Sequence, residues 1–109
     1  MFHSNDFVAI HLPDITAAEH FYTKIMKFKL LTRSEAQLEY DAGRFHLSVK
    51  RDLDTQPPFP SFIVKDIEAA RRCLLENGCV ILHEDEKSLH FRDPFGITYD
   101  AIEANKKRI

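Results

Sequence analysis

The chain has no tryptophan, only two cysteines, and no apolar run near the roughly 20 residues that cross a bilayer. Two cysteines, Cys73 and Cys79, are too few for a disulfide framework. They read as reduced thiols, Cys73 facing inward on a helix, and point to a cytoplasmic protein. Charge of one sign is lacking too. A net charge of −2 gives no general attraction to nucleic acid or to an acidic membrane surface. The start, Met1 to Asp6, has neither the basic residues nor the apolar core of a signal peptide. Without tryptophan, nine phenylalanines must supply most of the aromatic bulk of the core. At 109 residues the chain is too short for two independent cores and is expected to be one small domain.

What is present is a repeat. Asp14-Ile15 returns as Asp66-Ile67, 52 residues on, and Ala17-Ala18 returns as Ala69-Ala70. Phe7 answers Phe59 and Asp41 answers Asp93 at the same spacing. Self-similarity at half the chain length marks a duplicated supersecondary unit.

Each half reads as strand, helix, then three strands. In the first, Phe7 to Leu12 alternates, with Phe7, Ala9 and His11 on one face and Val8, Ile10 and Leu12 on the core face. Thr16-Ala17-Ala18-Glu19 has the capping-box pattern of a helix start, and Ala18, Phe21, Tyr22 and Ile25 follow as its buried stripe. Strands are expected at 28–33, 36–40 and 45–50, with a turn at Asp41-Ala42-Gly43. Residues 52–60, with Pro57, Pro58 and Pro60, suit a linker. The second half opens with a strand at 61–64 and a helix from Ile67 to Asn77, capped by Asp66 and closed by Gly78. Strands at 80–83, 89–92 and 97–102 follow, the last two joined by the Asp93-Pro94-Phe95-Gly96 turn. The expected boundaries are module 1 at about 5–51 and module 2 at about 61–103.

A doubled βαβββ unit carrying these words resembles the vicinal oxygen chelate superfamily, which includes glyoxalase I, extradiol dioxygenases and bleomycin-resistance proteins. The words are Val8-Ala9-Ile10-His11-Leu12-Pro13-Asp14 with Phe21-Tyr22 in the first half. In the second they are Phe62-Ile63-Val64-Lys65-Asp66-Ile67, Asn77-Gly78 and Phe91-Arg92-Asp93-Pro94-Phe95-Gly96. The resemblance spans Phe7 to Glu103. It implies an α+β fold of two tandem modules whose curled mixed sheet surrounds a half-open cleft. In the family's enzymes that cleft holds a divalent metal acting as a Lewis acid.

The resemblance also implies four ligand positions, two opening the first strands and two in the last strands. Matched to this sequence, the first pair is Phe7 and Phe59. Strand parity and the Asp93–Gly96 turn put the third at Asp100, and the repeat gives Ser48 as the fourth. Three of these four side chains are not charged metal ligands, so no cofactor is expected. An aromatic cleft lined by Phe7, His11, His46, Ser48, Phe59, Ser61 and Asp100 would instead take a small organic molecule. The two rings could equally plug the cleft as core. A rearranged metal set of His11, His46 and Asp100 is the alternative, making the chain a lyase, isomerase or dioxygenase. The same histidines could also serve as a metal-free base. His3, His20, His83 and His90 read as surface or edge residues. The partners expected are a small molecule and a second copy in a homodimer, with no nucleic acid and no membrane.

Overall fold

The computed structural model describes residues 1–104. It has eight strands and two helices: β1 (His3–Leu12), α1 (Ile15–His20), β2 (Lys29–Arg33), β3 (Gln37–Asp41), β4 (His46–Arg51), β5 (Gln56–Val64), α2 (Ile67–Glu76), β6 (Val80–Glu84), β7 (Ser88–Arg92) and β8 (Thr98–Glu103). The chain divides into two compact units. One is Asp6–Phe59; the other is Met1–Asn5 together with the chain from Pro60 onward. The basic run Lys106-Lys107-Arg108 lies outside the described residues.

Within Asp6–Phe59 the strand order is β2-β3-β4-β1. The β1–β4 pair is parallel, and the β3–β4 and β2–β3 pairs are antiparallel. Alternation then sorts the side chains. Ile10, Leu38, Tyr40, Leu47 and Val49 fall on one face and pack with Ala18 of α1. Leu38 and Val49 are completely buried, a gain of roughly 1.5–3 kcal/mol each. Tyr40 is also fully buried. Its hydroxyl is satisfied by Thr23 Oγ1 at 2.9 Å and can donate to the Glu19 carbonyl at 3.5 Å. The second unit repeats the plan in the order β5-β8-β7-β6. Val64, Leu89, Phe91 and Ala101 meet Ile67, Ala70 and Leu74 of α2. Arg71 ties α2 to β6 through Glu84 at 2.8 Å.

Three local expectations need correction. The first helix is capped not by Thr16 but by Asp14, whose Oδ1 accepts from the Ala17 amide at 2.9 Å. Asp14 is thus the true counterpart of Asp66, which accepts from Glu68 and Ala69. The capping-box pattern is present, but the helix starts two residues earlier than it requires.

The stripe Ala18, Phe21, Tyr22 and Ile25 is only partly buried. After His20 the helix widens into a π turn, Phe21–Ile25, and its longer repeat rotates later side chains off the core face. Tyr22 still packs with Phe28 and Tyr40, whereas Phe21 and Ile25 are exposed.

The expected linker is strand from Gln56 onward. Pro57, Pro58 and Pro60 are all exposed while Phe59 and Ser61 are buried. Proline's fixed φ is compatible with extended backbone, and only its missing amide limits it there. The strand thus tolerates three prolines.

Urea unfolding separates the two helix-cap assignments. Asp14→Ala and Asp66→Ala are each expected to cost about 1 kcal/mol, while Thr16→Ala leaves the midpoint within a few tenths.

Candidate functional site

The sheet face of Asp6–Phe59 opposite α1 carries the predicted side chains. Parity places Phe7, Ala9 and His11 of β1 beside His46, Ser48 and Lys50 of β4, in that pairing. Glu39 and Asp41 of β3 continue the same face beside Ser48 and His46. Ser48 is buried, and Gln37 Nε2 donates to its Oγ at 3.2 Å and to Glu39 Oε1 at 3.4 Å. The Phe7 ring meets His46 edge to face, with centroids 5.0 Å apart.

His11 is held from two sides. Its ring lies 5.4 Å from that of Phe59, tilted by 38°, and its Nδ1 is 2.9 Å from Asp52 Oδ2. Asp52 is positioned by its own amide, which donates to the Leu12 carbonyl at 3.0 Å. Its other oxygen accepts from the Leu53 amide at 2.7 Å. The His11 hydrogen bond first, and the Leu53 amide second, hold the Asp52 carboxyl below its usual value of 3.8. Asp52 is therefore a carboxylate at neutral pH, and since a carboxylate only accepts, the hydrogen between the two lies on His11 Nδ1.

In the other unit, Ser61 and Asp100 are neighbours across β5 and β8, and His90 and Asp100 across β7 and β8. Ser61 and Asp100 are both buried. Asn5 Nδ2 donates to Ser61 Oγ at 2.9 Å. His90 is not the surface or edge residue expected. It is half-buried on an internal strand of its unit, because Ser88, His90 and Arg92 share the Asp100 face.

The predicted residues thus divide as follows. Phe7, His11, His46, Ser48 and Phe59 belong to one unit, Ser61 and Asp100 to the other. Asn5, Gln37, Asp52 and His90 escaped the sequence reading. The repeat could have flagged His90, since it stands beside Asp100 as Glu39 stands beside Ser48. Nothing local signals that Asp52 reaches His11, 41 residues back.

The four positions taken from the resemblance do not fit a divalent metal. Phe7 and Phe59 have no donor atoms, and Ser48 is a neutral hydroxyl engaged by Gln37. Among the described residues, no three His, Cys, Asp or Glu side chains form a group that could hold an ion. No helix among them is long and apolar enough to cross a membrane.

The His11–Asp52 contact has a titration signature. The depressed carboxyl contributes stability above its unfolded value, and that contribution is lost as pH falls through the folded value. Carboxyl-carbon NMR should show Asp52 titrating below 3.8, and His11→Phe should move it upward. An unchanged midpoint in the variant would refute the contact.

Compared by sequence, the chain matches no family model and no curated protein. Compared by structure, it matches a hypothetical protein from Bacillus halodurans C-125 with a TM-score of 0.72 at 16% identity, covering 96% of each chain. Methylmalonyl-CoA epimerase from Mycobacterium tuberculosis matches with a TM-score of 0.67 at 16% identity, over 96% of this chain and 90% of the enzyme. The Mn(II)-bound glyoxalase from Novosphingobium aromaticivorans matches with a TM-score of 0.65 at 12% identity, over 94% of this chain and 40% of that one. At such identities the likeness concerns fold alone. The doubled βαβββ architecture is the glyoxalase/dioxygenase fold that the sequence resemblance implied.

Proposed function

We propose that this chain binds a small organic molecule on its polar and aromatic sheet face, with no divalent metal at the superfamily's usual positions. The observation that carries this reading is the Phe7 and Phe59 pair at two of those positions. Phe59 is 5% exposed and serves as backing for His11; Phe7 is half-buried beside His46 and retains surface for a ligand. Of the two roles open to the rings, Phe59 suits the plug and Phe7 the wall.

A ligand there would meet an aromatic edge, two imidazoles and a carboxylate-oriented nitrogen. That combination favours a flat molecule with a hydrogen-bonding group. His11, held through Nδ1 by ionised Asp52, would offer Nε2 to the ligand's hydrogen-bonding group. The second partner in this reading is another copy of the chain. Supporting it, β2 and β6 each end the strand order of their unit, and β6 presents exposed Val80 and Leu82. The two unbridged cysteines favour the cytoplasm.

Elemental analysis of untagged protein purified without chelator is expected to find zinc, nickel, manganese and iron far below one equivalent; a stoichiometric ion would overturn the proposal. In a thermal-shift screen of aromatic and cationic compounds, a hit should lose its effect in Phe7→Ala. A hit unaffected by that change would move the site elsewhere. Sedimentation at micromolar concentration is expected to give a dimer, and a monomer would exclude the second copy.

A further inference from the structure

The chain has only two cysteines, and the fold places both at the capped end of α2. The Cys79 amide donates to the Leu74 carbonyl at 3.0 Å, and the Gly78 amide to the Leu75 carbonyl at 3.5 Å. With Gly78 at φ +88, these bonds make a Schellman closure. In this motif the residue two beyond the cap packs its side chain against the last turn, three or four positions from the helix end. With Asn77 as cap, those positions include Cys79 on one side and Cys73 on the other.

Neighbouring groups hold the pair in place. Asn77 Nδ2 donates to the Cys73 carbonyl at 2.7 Å and lies 3.9 Å from Cys73 Sγ. Cys79 packs on the cluster formed by Val64, Leu74, Leu89 and Phe91 with their neighbours. Any Cβ at Gly78 would sit 3.5 Å from Pro94, so the turn bearing Cys79 rests against the Asp93–Gly96 turn. Both thiols are half-buried and unbridged.

We propose that Cys73 and Cys79 form a vicinal dithiol that peroxide or a small disulfide oxidises reversibly to an intramolecular disulfide. With hydrogen peroxide, one thiolate attacks a peroxide oxygen, the O–O bond breaks, and a sulfenic acid forms as water leaves. The second thiolate attacks that sulfur, the S–S bond forms and the S–O bond breaks, releasing a second water. In total two thiols and one peroxide give one disulfide and two waters. A thiol such as glutathione reverses the step by exchange.

Burial first, then the Asp93 carboxylate and the nearby Cys73 thiol, push the Cys79 thiol up. Ionisation is therefore late, and the disulfide should form faster as pH rises. This sets Cys79 apart from low-pKa sensor thiols.

The test uses the folded chain. After diamide or hydrogen peroxide, non-reducing digestion should recover a Cys73–Cys79 cross-link within one chain, at a rate independent of protein concentration. Dithiothreitol should remove it, and the oxidised protein should unfold at a higher temperature than the reduced one. One equivalent of phenylarsine oxide, which needs two thiols in reach of one arsenic, should bind. Cys73→Ser or Cys79→Ser, each first shown to be folded, should abolish that binding. Oxidation confined to separate sulfinic acids, cross-links only between chains, or a lowered unfolding temperature in the bridged form would overturn the proposal.

Discussion

The four strands of each half have a single short helix to keep one face dry, and most of the molecule follows from that constraint. A strand's side chains alternate, so covering one face commits every second residue to the helix side. In Asp6–Phe59 that side holds Ile10, Leu38, Tyr40, Leu47 and Val49 around Ala18. In the other unit it holds Val64, Leu89, Phe91 and Ala101 around Ala70. The remaining half of each strand is freed from the demands of that core, and it is there that the polar and aromatic residues gather.

The two copies have diverged unevenly for the same reason. On the helix side, Leu38 and Leu89 are the same residue, Ala18 and Ala70 likewise, and Tyr40 corresponds to Phe91. On the other side, Glu39 beside Ser48 corresponds to His90 beside Asp100. Packing tolerates few shapes, whereas a polar row tolerates any set whose hydrogen bonds are met. One copy meets them with Gln37 on Ser48, the other with Asn5 on Ser61.

The strands, both turns and the face shared by Phe7 and His11 were legible because alternation and turn chemistry are local. Asp93 shows how far that reaches: its carboxylate accepts from Phe95 and Ile97, as the Asp-Pro-Phe-Gly words suggested. The site positions at Ser48 and Asp100 came from the repeat, and both are buried in the last strands of their units. Other features resisted for physical reasons. Thr16 offered as good a local cap as Asp14, and only the comparison with Asp66 distinguishes them. Proline count spoke for a linker because composition does not reveal which amides a strand needs. The His11–Asp52 bond joins the ends of two strands, and no short window contains it.

The π turn after α1 explains a slip in the repeat. Up to the helices the copies are 52 residues apart, as Asp14 and Asp66 are. Beyond them the spacing is 51: the Arg33–Leu38 pair corresponds to Glu84–Leu89, and each hairpin shifts register at the matching place. In the last strands it is 52 again, His46 matching Thr98 and Ser48 matching Asp100. The first copy therefore carries one extra residue in its helix, and the second regains it in the loop before β8. A residue added inside a strand would have inverted every side chain after it. The widened helical turn acts as a spacer that absorbs the length difference, leaving Phe21 and Ile25 in solvent so that the strands behind them stay in phase.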